Sequence, residues 1–203
     1  NRPRLDPRKG RVVEGYAVMQ PRITPSLPTG PGSTIYQRIV SGRGGVDPYA
    51  AAVSDVYQDL FGEGSYTGKG IYDVDAFEAA LEGKVPENAL LSHDLFEGLF
   101  ARAGLVTDVD LFEEFPSHYE LAARRQHRWV RGDWQLLPWV LGHARNAAGR
   151  RPRTRIPAQG RWKMVDNLRR SLAAPSAFLL AVAAWTLPSV SALLWTGLFV
   201  GSV

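Results

Sequence analysis

The last part of the sequence carries no ionisable side chain, because none occurs between Arg170 and Val203. A helix that crosses a bilayer needs about 20 mostly apolar residues. The uncharged stretch is long enough, so the sequence predicts a transmembrane segment over residues 172–203. Pro188 and Ser189 either kink one long span or separate two spans, since proline interrupts helical hydrogen bonding.

The stretch before it is strongly basic, with nine Arg or Lys and a single acid, Asp166, between Arg145 and Arg170. Over residues 161–171 the cations are mixed with apolar side chains, which is typical of an amphipathic helix on an anionic membrane surface. An ordinary solvated helix is the alternative. Because basic flanks stay in the cytoplasm, residues 1–160 are expected on that side of the membrane.

Composition narrows the kinds of site that the chain can contain. None of its 203 residues is cysteine, which excludes disulfides and thiolate metal sites. The four histidines share no ligand spacing, so they predict no metal site. The length allows one domain or part of a larger one. Because the sequence starts abruptly at Asn1 without a signal-peptide pattern, we expect a piece of a longer polypeptide.

Apolar periodicity, with Gly and Pro at the boundaries, predicts an α/β chain. Buried strands are predicted within residues 12–23 and over 105–111. Helices are predicted over 47–60, 75–81, 95–103 and 118–129. Glycines at 42–45 indicate a surface turn. Those within 61–70 indicate either a tight connection or a loop whose backbone approaches a ligand closely.

Asp94 is the first candidate site residue. It follows an apolar run, Ala89 to Leu91, and opens a helical pattern, so it is either a helix N-cap or a functional carboxylate. A basic, aromatic block follows at residues 124–135. Within it Arg128 can hold a phosphate through two parallel hydrogen bonds, and Trp129 offers a flat apolar face.

Three ordered blocks carry a family resemblance: residues 62–75, the triplet Ser92-His93-Asp94, and Arg128-Trp129 with Gly132 after it. Together they resemble the processive, membrane-bound β-glycosyltransferases of the GT-A fold, which carry an acidic acceptor motif followed by Gln-x-x-Arg-Trp. The local sequence is most similar to bacterial cyclic β-1,2-glucan synthases. The chain departs at one position, since Arg125 stands where the family has Gln, and Gln126 comes one place later.

The resemblance implies that residues 1–160 are the C-terminal part of a GT-A glycosyltransferase domain. It implies that Asp94 is the catalytic base, that Arg128 contacts the donor diphosphate, and that Trp129 is the acceptor platform. Further substrate-binding residues are expected around them. They are Tyr66 as a sugar platform, Lys69 in the same loop, His93 orienting the base loop, Arg125 and Arg131 as secondary cations, and Gln126.

The implied reaction transfers glucose from UDP-glucose to a growing β-1,2-glucan with inversion, at a bacterial inner membrane. By resemblance, Mg²⁺ or Mn²⁺ assists. Neither Asp73-Val74-Asp75 nor Asp108-Val109-Asp110 stands in the order that the family's metal motif requires, so no metal ligand is predicted within this chain. The expected partners are UDP-glucose, the β-glucan acceptor, the lipid bilayer and the rest of the same polypeptide, and no nucleic acid.

Two alternatives stay open at this point. The first is another processive membrane β-glycosyltransferase, making a β-1,3- or β-1,6-glucan or a cellulose-type product. The second is a membrane-tethered module that binds an anionic ligand, nucleic acid or lipid, through the basic block. Replacing Asp94 separates an enzyme from a binding module, because only the enzyme needs that carboxylate.

Overall fold

The computed structural model describes residues 1–26, 32–40, 55–91, 94–151, 156–187 and 191–201, with the side chain of Phe199 excepted. Its strands are β1 (Arg4–Asp6), β2 (Arg11–Glu14), β3 (Val18–Pro25), β4 (Ile71–Tyr72) and β5 (Ala103–Glu113). Its helices are α1 (Ile35–Val40), α2 (Val56–Phe61), α3 (Val74–Leu81), α4 (Asp94–Ala101), α5 (Tyr119–Gln135), α6 (Leu137–Val140), α7 (Ala158–Thr186) and α8 (Ala192–Gly201). The predicted α/β class is confirmed.

A three-stranded sheet with the order β4-β3-β5 brings distant parts of the sequence together, and β1 and β2 form a separate antiparallel pair. β3 pairs antiparallel with β4 and parallel with β5, from Val18 opposite Ala103 to Pro25 opposite Glu113. The β3–β5 register shifts after Pro21, a residue that has no N–H to donate. The carboxyl end of β5 therefore lies beside that of β3.

Helix α4 packs its apolar face into the core that supports this sheet. Phe96, Leu99 and Phe100 are spaced for one helical face, and all three are buried. The ring of Phe96 meets that of Trp139 edge to face, with centroids 5.3 Å apart. Because α4 leads directly into β5 through one residue, Arg102, its N-terminal residue Asp94 lies towards the edge where β5 ends.

The chain reverses at Arg102 and not at Gly104, the glycine that follows the helix predicted over 95–103. Arg102 has a φ of 56°, a left-handed conformation that is unusual for a residue with a side chain. Its guanidinium donates hydrogen bonds to the carbonyl oxygens of Gly15 (2.9 Å) and Gly62 (3.1 Å). Gly104 serves packing instead, since a Cβ there would lie 2.8 Å from the ring of Tyr16.

Other boundaries also differ from the predictions. The strand predicted over 12–23 is divided at Gly15, where φ is +63° and a Cβ would lie 2.4 Å from the carbonyl oxygen of Arg2. The helix predicted over 118–129 continues to Gln135. Of the helix predicted over 47–60 only α2 is described, and residues 42–45 lie outside the described part.

The chain divides into two compact units, Asn1–Met164 and Val165–Val203, and α7 crosses the boundary between them. Among the described residues, no helix is both long and apolar enough to span a bilayer, and the transmembrane segment over residues 172–203 stays a prediction. α7 has 29 residues, of which the first part is rich in Arg and Lys, and α8 has 10 residues. Pro188 and Ser189 lie outside the described residues.

The amphipathic helix predicted over 161–171 is the front part of the longer helix α7. Trp162 is exposed, as a membrane-facing residue would be, whereas Lys163 and Met164 are each only 1% exposed. Both buried residues belong to the first unit. Lys163 is therefore not one of the cations available to a lipid surface, and the interfacial role of the rest of this stretch stays a prediction.

Candidate functional site

A cavity of about 560 Å³ opens near the end of β5. It is lined by residues 67–69 of the glycine-rich segment, by Asp94 at the start of α4, by Glu113 at the end of β5, and by one face of α5. The cavity thus collects Lys69, Asp94, Arg125, Arg128 and Trp129, five of the residues predicted from sequence to form the site.

Helix geometry decides which residues of the basic block reach the cavity. Leu121, Arg124, Arg125, Arg128 and Trp129 line it, and their spacing places them on one helical face.

Gln126 is two positions from both Arg124 and Arg128 on a helix that turns about 100° per residue, so it lies on a different face. It is exposed and is not part of the cavity lining. The position that the family fills with Gln is occupied by Arg125, so the substrate-binding role predicted for Gln126 is not supported by the structure.

Arg125 is held between a carboxylate and an aromatic ring. Its Nη2 lies 3.3 Å from each carboxylate oxygen of Glu113. Its guanidinium carbon lies 4.7 Å from the centre of the Trp129 ring, which is within the range of cation–π contacts. Glu113 also forms an ion pair with Lys69. Two of the predicted cations are therefore paired with one carboxylate, and the three groups together keep one positive charge.

Glu113 is ionised in this setting. Its partial burial raises the pKa of the carboxyl, but the hydrogen bond from Lys69 and the charges of Arg125 and Lys69 outweigh burial and hold that pKa below its ordinary value. In contrast, Arg124 and Arg128 are exposed on the cavity face and form no ion pair with any residue in the described ranges. These two cations are the ones open to an anionic ligand.

The carboxylate of Asp94 lies against the backbone of Gly68. A Cβ at Gly68 would lie 2.7 Å from Oδ2 of Asp94 and 2.9 Å from its Cγ, and Gly68 has a φ of +92°. Only glycine fits there without displacing the carboxylate. Asp94 is also in the first turn of α4, where the helix dipole favours negative charge.

The end of α5 is tied to the segment that leads to Asp94. The side-chain oxygen of Gln135 accepts a hydrogen bond from the backbone N–H of Leu91, at 2.7 Å. Ser92 and His93 lie outside the described residues, so the orienting role expected of His93 stays a prediction.

The glycine-rich segment is fixed by buried polar side chains. Gln20, which is 1% exposed, donates to the carbonyl oxygen of Ser65 (3.1 Å) and accepts from the backbone N–H of Thr67 (2.6 Å). Asp55 accepts from the backbone N–H of Ser65 at 2.7 Å. The segment therefore presents Gly68 and Lys69 to the cavity from a defined backbone.

Lys163 is a third anchor of the same segment. Its Nζ donates to the carbonyl oxygen of Gly64 at 2.9 Å and lies 4.3 Å from the centre of the Tyr57 ring. Burial lowers the pKa of Lys163 to about 8, although the charges of Asp55 and Glu63 oppose the shift. A buried lysine of this kind loses hydration that is replaced only in part.

This shift predicts a pH dependence of stability. In the unfolded chain, the pKa of Lys163 is near 10.5. Between about pH 8 and 10.5 the unfolded chain therefore binds more protons than the folded chain, so the free energy of unfolding rises with pH. Relative to Lys163→Met, wild-type stability should therefore rise by roughly 3 kcal/mol over this window, at about 1.4 kcal/mol per pKa unit. Urea unfolding at a series of pH values measures the slope. The exposed Lys9→Met should keep the wild-type slope, and an unchanged slope in Lys163→Met would contradict the assignment.

Tyr66 does not lie where a sugar platform must. It is only 8% exposed and belongs to the core, and a Cβ at Gly98 of α4 would lie 2.6 Å from its own Cβ. Burial, and then the negative charges of Glu97 and Asp94, raise its pKa to about 12. A platform needs an exposed ring face, so the structure does not support that role for Tyr66. Trp129 is the ring that lines the cavity.

One aspartate of each Asp-x-Asp string has a structural role. Asp73 caps α3 by accepting from the backbone N–H of Ala76 at 3.0 Å. Asp110 forms a two-point ion pair with Arg22 across β3 and β5, at 2.6 and 2.7 Å. Within the described ranges, no group of three or more His, Asp or Glu side chains is arranged to hold a metal ion.

Sequence reasoning missed Glu113, Gly68 and Arg124. A signal existed for Arg124, since it is spaced with Arg125 and Arg128 on one helical face. Glu113 ends a predicted strand, but its partners are 44 and 12 positions away along the chain, and no local pattern joins them. In the sequence Gly68 is one of several glycines, and only its position against Asp94 in the folded chain distinguishes it.

No protein-family model matches the chain. Among curated proteins, it is 54% identical over 197 residues to the cyclic beta-(1,2)-glucan synthase NdvB of Rhizobium meliloti strain 1021. The match covers 96% of this chain and 7% of that protein, so the chain spans a small part of its relative's length. Identity at this level across nearly the whole chain confirms the resemblance to bacterial cyclic β-1,2-glucan synthases.

Proposed function

We propose, from the premise that this chain is homologous to a segment of a cyclic β-(1,2)-glucan synthase, that its cavity is the acceptor side of a glucosyltransferase site. The observation that carries the proposal is the convergence of a carboxylate, open cations and an indole ring on one cavity. We assign residues 1–160 to the C-terminal part of a GT-A domain. The parallel β3–β5 pair, with antiparallel β4 beside β3, supports this assignment.

In the proposed step, glucose passes from UDP-glucose to the end of a β-1,2-glucan. The acceptor hydroxyl oxygen attacks the anomeric carbon from the side opposite the diphosphate, which inverts that centre. The bond from the anomeric carbon to the diphosphate oxygen breaks, and its electron pair leaves with UDP. The hydroxyl proton goes to the carboxylate of Asp94, the acidic side chain that lines the cavity on the helix side.

The leaving diphosphate requires positive charge. Lys69 and Arg125 are already paired with Glu113, so Arg128, with Arg124 one turn before it, is the contact that we assign to the diphosphate. A guanidinium fixed on a helix can hold phosphate oxygens through parallel hydrogen bonds without reorganising during the reaction. A divalent cation would have to be held by residues of the polypeptide beyond those described here, and no step above depends on it.

Trp129 supplies the acceptor platform. Its ring lines the cavity, and the guanidinium of Arg125 lies over it. A flat, partly exposed indole offers apolar area at a low cost in conformational entropy, which suits the apolar face of a sugar ring. The basic residues 145–170 support a placement of this unit at the cytoplasmic surface of the bacterial inner membrane.

Arg128 and Trp129 are expected to affect donor binding and acceptor binding separately. Arg128→Ala should weaken UDP binding about tenfold, the scale of one lost charge-assisted hydrogen-bond contact. Trp129→Ala should leave UDP affinity nearly unchanged and raise the KM for the glucan acceptor. Isothermal titration with UDP and acceptor-dependent rates in the full-length polypeptide measure the two effects.

A matched control is available on the same helix. Arg131, which was predicted as a secondary cation, is exposed and does not line the cavity, so Arg131→Ala should change neither quantity. Equal losses of UDP affinity in Arg128→Ala and Trp129→Ala would contradict the separation of roles.

A further inference from the structure

Glu113 occupies a junction that the proposed reaction does not use directly. It ends β5, and its carboxylate contacts Lys69 of the glycine-rich segment and Arg125 of α5. Its side chain is 29% exposed, and those of Lys69 and Arg125 are 38% and 23% exposed. The three groups lie on three different parts of the chain, so the carboxylate joins the end of β5 to the glycine-rich segment and to α5 through side chains.

On one side, the contacts of Glu113 lead to the acceptor platform. The guanidinium of Arg125 lies between the carboxylate and the Trp129 ring, 3.3 Å from the oxygens and 4.7 Å from the ring centre. Arg125 and Trp129 are four positions apart on α5, so the helix fixes their backbone separation. Without the carboxylate, Arg125 has no charged partner among the described residues to hold it over the ring.

On the other side, the contacts lead to the base. Lys69 follows Gly68, whose backbone lies against the carboxylate of Asp94. A shift in the position of Lys69 therefore moves the adjacent Gly68, whose backbone supports the carboxylate of Asp94. A single carboxylate, Glu113, thus connects the ring that we assign to the acceptor with the group that we assign to its proton.

We infer that Glu113 is a positioning residue for the acceptor: by holding Arg125 over Trp129 and Lys69 beside Gly68, it sets the distance between the acceptor platform and the base. This inference rests on the proposed function of the cavity. It also gives Arg125 a role apart from the donor, because Arg125 is paired with Glu113, whereas Arg124 and Arg128 line the cavity without an ion pair among the described residues.

A structural role alone predicts a different result. Partly exposed ion pairs contribute little to stability, typically under about 1 kcal/mol. Loss of Glu113 should therefore leave the fold intact and act on acceptor use.

The test is Glu113→Gln in the full-length polypeptide. The KM for the glucan acceptor should rise about tenfold, whereas the Kd for UDP should change less than about twofold. Glu113→Asp should fall between the wild type and Glu113→Gln, because its shorter side chain keeps the charge but reaches less far. Glu114→Gln is the matched control: Glu114 is exposed, adjacent in sequence and absent from the cavity lining, so its variant should behave as the wild type.

A double-mutant cycle shows whether Glu113 acts through the ring. In a Trp129→Ala background, Glu113→Gln should raise the acceptor KM little further. Independent, multiplying effects would overturn the inference. Arg125→Met removes the other partner of the Glu113–Arg125 ion pair and should raise the acceptor KM as Glu113→Gln does. This second variant tests the inference even if Glu113→Gln is poorly folded.

The outcomes also separate this inference from the proposed function. If Trp129→Ala leaves the acceptor KM unchanged, the platform assignment fails, and the role of Glu113 fails with it. If Trp129→Ala raises the acceptor KM but Glu113→Gln and Arg125→Met do not, only the positioning role of Glu113 fails.

Discussion

Asp94→Asn is expected to lower glucosyl transfer by about 10²-fold or more while UDP binding persists. The substitution keeps the shape of the side chain and removes its capacity to take a proton, and a positioned base typically contributes this much. Turnover of the full-length polypeptide with UDP-glucose and a glucan acceptor measures the loss, and titration with UDP shows that the donor contacts remain. An anionic-ligand binding module would hardly respond to this change.

The control for Asp94 is Asp75→Asn. Asp75 is an exposed acid in the first turn of α3, as Asp94 is an acid in the first turn of α4, but it does not line the cavity. Its variant should turn over at the wild-type rate. Near-normal turnover in Asp94→Asn would remove it as the base, and a large loss in Asp75→Asn would return the Asp73-Val74-Asp75 string to consideration as a metal site.

Gly68→Ala is expected to lower turnover by about 10²-fold, through a residue with no chemistry of its own. An added Cβ would lie 2.7 Å from Oδ2 of Asp94, so either the carboxylate or the backbone of the glycine-rich segment must shift. A misplacement of about 1 Å at a reacting group costs on that order. Steady-state kinetics in the full-length polypeptide check the loss.

Gly83→Ala separates this contact from backbone strain. Gly83 also has a positive φ, +67°, but a Cβ there would meet nothing within 4 Å. Both variants incur the cost of a left-handed alanine, whereas only Gly68→Ala disturbs Asp94. Gly83→Ala should therefore keep near-normal turnover, with at most a small loss of thermal stability. Equal losses of turnover in the two variants would show that the Gly68–Asp94 contact is unimportant.

The local sequence was sufficient to predict features that depend on neighbouring residues, such as helices, strands and the face of a helix. The helices and strands around the site were predicted with shifted ends, because burial repeats at helical and strand spacing. The pattern of cations and Trp129 on α5 likewise follows from helical geometry, which places Arg125, Arg128 and Trp129 on one face and Gln126 on another. The resemblance to cyclic β-1,2-glucan synthases rests on such ordered local blocks.

The C-terminal stretch shows what composition leaves open. The absence of charge after Arg170 predicts a bilayer span, because composition measures how apolar a segment is. Among the described residues, no helix is both long and apolar enough to cross a bilayer. Composition does not state where helices begin and end, so the membrane role of residues 172–203 stays a prediction.

Only the tertiary structure decided the burial and the partners of Tyr66, Glu113 and Lys163. An aromatic ring, an acid and a lysine each look available in a sequence, but burial and partners depend on elements far apart in the chain. Packing against α4 buried Tyr66, and the pairing of β3 with β5 brought Glu113 to Lys69 and Arg125. The sequence determined which charged and aromatic groups the chain has, whereas long-range packing determined which of them face the cavity and which charges are already paired.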